Sequence, residues 1–161
     1  MLTNILVLCF LLGVVCGLRS MMAPAAVAWG AHLGWLHFTG TSLAFIDSII
    51  TLIVFTLFAL GELVADKLPK TPARTAPPGL VVRVFFGAAC AAALAVGSGV
   101  HVGLASIAGV VGALVGTYGG YSVRHTLTAS GKFKDLPVAL IEDVIAIAGG
   151  FLVVSHVIPL A

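Results

Sequence analysis

The chain has 161 residues, 60% of them hydrophobic and 9% charged, with a mean hydropathy of +1.19 and a formal net charge of +2. A soluble domain carries about a quarter charged residues, so this composition excludes a water-soluble fold around one small core and makes lipid the solvent. No basic face interleaved with aromatics is present, which argues against a nucleic-acid partner.

Apolar runs predict six membrane spans near residues 2–18, 21–36, 42–66, 79–98, 101–123 and 137–159. The first has an apolar core with no basic residue before it, and Arg19 follows it. It therefore reads as an uncleaved span rather than a signal peptide. Spans one and two are short and meet at a turn around Gly17, Arg19 and Ser20, with Pro24 placed to start the second helix. The alternative is that one of this pair is broken or re-entrant, leaving five full crossings. Trp35 near the end of span two, and Tyr118 and Tyr121 near the end of span five, occupy interfacial-belt positions.

The eight basic residues are Arg19, Lys67, Lys70, Arg74, Arg83, Arg124, Lys132 and Lys134. They fall in or beside the first, third and fifth connections, and the other connections and both tails contain none. Basic loops are retained in the cytoplasm during insertion. The pattern therefore predicts both termini outside, and it favours six crossings, because five would put basic loops on both sides. The connection over 67–78 carries four prolines and reads as an extended, semi-rigid cytoplasmic linker between repeat one (1–66) and repeat two (79–161) of a single polytopic domain.

Those two halves resemble each other. Gly30–Gly34 aligns with Gly112–Gly116, and Ala44–Ile49 aligns with Ala139–Val144, which matches Asp47 with Glu142. Three spans per unit would make the second unit run through the membrane in the opposite sense, an architecture common among secondary transporters. Gly112, Gly116 and Gly120 form a small-residue ridge on span five, and Gly30 and Gly34 begin one on span two. Such ridges let helix backbones approach closely, which predicts that spans two and five are central.

Acidic groups inside lipid are costly unless paired or wetted. Asp47, Glu62, Asp66, Glu142 and Asp143 lie within or at the ends of the spans. Glu62 and Asp66 share a face of span three, and in a continuous helix Asp47 would lie about 60° from Glu62 around the axis. Glu142, Ala146, Gly149, Val153 and His156 share a face of span six. The expectation is a polar pathway between spans three and six, with Asp47 and Glu142 as symmetric ion- or proton-carrying acids and Glu62 and Asp66 at the inner mouth. The competing reading is electrostatic pairing with Arg19, Lys67, Arg83 and Arg124 at the same level. That reading is preferred for Asp66 beside Lys67. Arg19 at its tight turn could hold an anionic ligand or cap helix ends.

Cys9, Cys16 and Cys90 lie in apolar spans, odd in number and without metal-type spacing. His32, His37, His101 and His156 lie toward the outer side, where interfacial packing is favoured over a metal site. No phosphate loop, zinc helix motif or nucleophile elbow occurs, so no catalytic residue, cofactor or resident metal is expected.

The stretch from Gly17 through Arg19 to Pro24, the run from Gly61 and Glu62 through Asp66, Lys67 and Pro69 to Arg74, the Gly119-Gly120-Tyr121 segment and Glu142-Asp143 together resemble a bacterial integral-membrane family known as domain of unknown function 4126. The resemblance covers nearly the whole chain. It implies a membrane location and prominence for Arg19, Glu62, Asp66, Lys67, Glu142 and Asp143, and brings no activity with it. A looser, fold-level similarity exists to small cation/proton exchangers built from three-plus-three repeats, whose acidic motif is absent here. The functional expectation is a small inner-membrane secondary transporter of an ion or small molecule, coupled to protons or cations through intramembrane carboxylates. The alternatives are an ion channel and a non-transporting lipid-binding or scaffold protein. Six short helices enclose little volume, which is compatible with a homodimer.

Overall fold

The computed structural model describes residues 2–67, 75–129 and 134–157. The linker residues 68–74, with Lys70 and Arg74, and residues 130–133, with Lys132, lie outside the described residues. The described residues form six α-helices: α1 (Leu2–Leu18), α2 (Met22–His32), α3 (Ile49–Ala65), α4 (Pro77–Ser98), α5 (Val102–Ala129) and α6 (Asp135–Ser155). A single 3-10 turn, Ala44–Asp47, precedes α3, and no strand occurs among the described residues. Three helices are long and apolar enough to cross a membrane: α4 with 22 residues, α5 with 28 and α6 with 21. α1 and α3 are shorter apolar helices of 17 residues each.

Two elements depart from the sequence expectation, each for a local reason. α2 has 11 residues, about 16 Å of helix, rather than the sixteen-residue span read from the sequence. Its end is set by Gly34, which adopts φ +74°, a conformation that costs little only for glycine. The Trp35 amide then donates to Gly30 and the Gly34 amide to Ala31, the paired bonds of a Schellman stop. Gly34 is thus a terminator and not part of a packing ridge. In the expected third span, Ser48 is extended at ψ 136° and caps α3 by accepting from the Ile50 amide. That break detaches Asp47 from α3, so the angular relation computed for a continuous helix does not apply.

Backbone proximity organises the core. α1 packs along α5 and against α4 and α6, while α2 packs on α3 and α6. A Cβ on Gly13 or Gly17 of α1 would strike the α5 backbone at Gly109 and Ala113, and one on Gly112 or Gly116 of α5 would strike the α1 backbone at Phe10 and Val14. Gly87 of α4 is pressed equally close to Gly109. The glycine ridge expected on α5 is therefore real, but its partner is α1, through a Gly13/Gly17 pair at the same four-residue spacing. α2, expected to be central with α5, packs on α3 and α6, where Gly30 faces Val154.

α3 is the least enclosed helix. Only Leu52 and Ala59 are buried, and residues such as Ile50 (69% exposed) project outward. An outward row of Ile, Leu, Val and Phe is the surface that a helix facing hydrocarbon would present.

Candidate functional site

Among the described residues, the charged side chains other than Asp47 gather at one end of the bundle, where α1, α3 and α5 end and α2, α4 and α6 begin. Arg19 sits in the α1–α2 turn with 1% of its surface exposed. Its Nη1 lies 2.8 Å from Asp66 Oδ2 and its Nη2 lies 2.6 Å from Asp143 Oδ1. One side chain therefore ties the turn both to the end of α3 and to α6. These contacts are charge pairings without hydrogen-bond alignment, and Arg19 Nε has no hydrogen-bond partner among the described residues. Lys67 Nζ adds a second cation 2.7 Å from Asp143 Oδ2 and also donates to the Leu63 carbonyl.

Asp66 Oδ2 is shared. Arg124 Nη1 donates to the same oxygen at 2.8 Å that faces Arg19. Arg124 also donates through Nε and Nη2 to the two oxygens of Asp135, at 2.8 and 2.7 Å, a bidentate pairing that fixes the guanidinium plane. Arg124 Nη1 lies 3.9 Å from Glu142 Oε2. Arg124 can do all this because α5 continues to Ala129, beyond the end expected near residue 123.

Glu62 completes the end in a different way. Its Oε1 accepts from the Ser20 amide at 2.9 Å and the Ser20 hydroxyl at 2.6 Å, and its Oε2 accepts from the Met21 amide at 2.8 Å. Met21, the residue before α2, makes no side-chain cap of its own. The carboxylate of α3 therefore caps α2 from outside, where the helix dipole favours a negative charge. Arg83 Nη2 lies 3.7 Å from Glu62 Oε1.

Among the described residues, four cations (Arg19, Lys67, Arg83, Arg124) meet five carboxylates (Glu62, Asp66, Asp135, Glu142, Asp143). Near balance lets such a cluster lie at a lipid boundary, because an unpaired charge there would cost several kcal/mol. Five of the six residues singled out from the sequence, Arg19, Glu62, Asp66, Glu142 and Asp143, are brought together here. Asp47 is not. It lies before the opposite end of α3, whose stretch from Ile49 to Glu62 is about 20 Å of helix, and its Oδ2 faces the Thr39 hydroxyl at 3.3 Å. Asp47 and Glu142 thus do not meet. α2 packs on both α3 and α6, so no polar seam joins those two helices along their length.

On α6 the buried stripe runs through Ala139, Asp143, Ala146, Gly150 and Val153. Asp143 rather than Glu142 points into the bundle, and Glu142 stands at the edge of that stripe. Gly149, expected on the polar face, is packed on Val15, and its neighbour Gly150 on Ala26. Sequence reasoning passed over Asp135 and gave Ser20 no role beyond its place in the turn. Both signals were present: Asp135 lies 11 residues beyond Arg124, and Ser20 is beside the turn that any α2 cap must reach.

A helical, membrane-type protein with an ionic cluster at one end is the class that this fold and site define. The chain belongs to the family described as Domain of unknown function (DUF4126), whose profile matches residues 6–160. No curated protein and no solved structure matches it.

Proposed function

We propose that the protein is a small multi-pass carrier of a bacterial inner membrane, closed on its cytoplasmic side, with the ionic cluster as that closure. In this reading the chain crosses six times, with both termini outside and the charged end in the cytoplasm. α2 completes its crossing through the non-helical segment after Gly34. The solute is an ion or small molecule. The acids act first as gating partners of arginine and lysine, and their protonation or cation binding couples to opening. What carries the reading is Arg19. A guanidinium that is 1% exposed and bridges the ends of α3 and α6 is a contact that must break for solute to pass from that side, and a closed state is where it forms. The unequal helices α2 and α5, with 11 and 28 residues, leave the three-plus-three inverted repeat as a sequence likeness rather than a matched pair of packed halves.

The test uses vesicles containing the purified protein and a trapped pH dye, with sodium, potassium or proton gradients as the driving probes. Saturable gradient-driven flux, altered by Asp66→Asn and Arg19→Ala, is the expected result. The companion measurement places a cysteine at Leu63 and asks whether Asp66→Asn exposes it to an impermeant maleimide added on the cytoplasmic side. Ohmic single-channel currents would replace the carrier with a channel.

The second reading is a non-transporting scaffold, favoured by Glu62. Both of its oxygens are held by the Ser20 and Met21 groups, as in a purely architectural cap. Absence of flux in every variant, with only stability falling, selects that reading.

A further inference from the structure

The helices α5 and α6 are joined in sequence and cross-linked by Arg124, yet they stand apart above that link. A groove of about 340 Å³ opens between them. Its walls are Val123 on α5 and Val138, Ile141 and Ile145 on α6, its back is Leu18 of α1, and Gly120 leaves its far side low. Arg124 and Glu142 mark its charged end. The volume lies at the lower end of the range of small-ligand sites, and away from Arg124 and Glu142 the lining is hydrocarbon.

We propose that this groove holds one acyl chain of a bilayer phospholipid, with the lipid phosphate at the level of Lys134. Three features commit the site to that occupant. Both walls belong to helices long and apolar enough to cross a membrane, so the groove opens sideways into acyl chains and not into water. An apolar gap of this size does not hold water, which finds no polar partners there, and its lining gains dispersion contacts when hydrocarbon enters. The groove ends toward the start of α6, where exposed Lys134 makes no side-chain cap and the amide end of the helix carries partial positive charge. A phosphodiester complements that end, because a basic residue at the membrane surface attracts anionic headgroups. The inference requires only that α5 and α6 lie in a bilayer, and it stands whether or not a solute crosses.

The experiment places the full chain in nanodiscs of phosphatidylethanolamine and phosphatidylglycerol containing a trace of phospholipid with a photoactivatable group in its acyl chain. Peptides are then mapped after irradiation. The expected result is labelling of 120–127 and 138–145 above that of the exposed α3 face around Ile53 and Leu57. That excess should be lost in Val123→Trp, while the α3 signal stays. Ile145→Trp fills the same groove from the other wall and replaces the first variant should that one not fold. Adding the same phospholipids to delipidated protein should raise the thermal midpoint of the wild type and not that of the filled variant. Groove labelling no stronger than at α3, labelling indifferent to both tryptophans, or copy-to-copy cross-links at Val123 in place of lipid label would each overturn the proposal.

Discussion

Arg19 and Asp143 stand 2.6 Å apart across almost the whole length of the chain, one in the first turn and the other in the last helix. Both are nearly fully enclosed, at 1% and 6% exposure. Removing one member of an enclosed pair strands the other charge, which costs about 3–5 kcal/mol. Arg19→Ala should therefore destabilise the protein strongly in thermal unfolding followed in detergent. Arg19→Met combined with Asp143→Leu should recover much of that loss, since Asp66 keeps Arg124 and the cation that loses Asp143, Lys67, is 26% exposed and keeps the Leu63 carbonyl. A double variant no better than the worse single one would show that the pair does not act as a unit.

Lys67 shares Asp143 but is much more open, its side chain 26% exposed. Lys67→Ala should cost no more than about 1 kcal/mol, well below the loss from Arg19→Ala. Equal losses in the same unfolding assay would contradict the view that burial sets the rank of these contacts.

Glu62 gives a prediction local to α2. Glu62→Ala removes the acceptor for the Ser20 and Met21 amides, and loss of a helix cap costs about 0.5–2 kcal/mol. Hydrogen exchange at those two amides should accelerate. In Glu62→Gln the carbonyl oxygen still accepts, and the acceleration should be smaller. Unchanged exchange in the alanine variant would mean that water or another group replaces the carboxylate without loss.

Close helix approach is tested at Gly13. A methyl group there meets the Gly109 carbonyl of α5, whereas Gly103 faces open space. Gly13→Ala should cost about 1–3 kcal/mol by overpacking. Gly103→Ala should be neutral or mildly stabilising, because alanine is the better helix former. The reverse order of thermal midpoints would refute the α1–α5 contact.

Asp47 stands apart from the cluster. Its described side-chain partner is the Thr39 hydroxyl, so Asp47→Asn should change stability by less than about 0.5 kcal/mol and leave flux in vesicles unaltered. A loss of flux matching that of Asp66→Asn would restore the symmetric-acid pathway expected from the sequence.

The sequence made the number and order of helices readable, because long apolar runs broken by polar turns leave few alternatives. The gathering of Arg19, Glu62, Asp66, Glu142 and Asp143 was also readable, since all basic connections fall at one level and acids in lipid seek cations. Partner choice was not. Arg83 and Arg124 were equally placed to meet any of those acids, and only packing sends one to Glu62 and the other to Asp66 and Asp135. The Gly34 stop was hidden by its four-residue spacing from Gly30, which imitates a packing ridge while serving a turn. The Ser48 break was hidden because a capping serine within an apolar run looks like one more residue of a long span. The Gly13/Gly17 pair was legible by spacing alone and was obscured by the apparent likeness of the two halves, which directed attention to α2.

The reach of Arg19 to Asp143 also bears on biogenesis. A ribosome makes Arg19 and Asp66 before Asp143, so until α6 is made that guanidinium has only one of its two carboxylate partners. Chains truncated before α6 should accordingly hold the α1–α2 turn loosely, which makes α6 the clasp that sets the earlier part of the bundle.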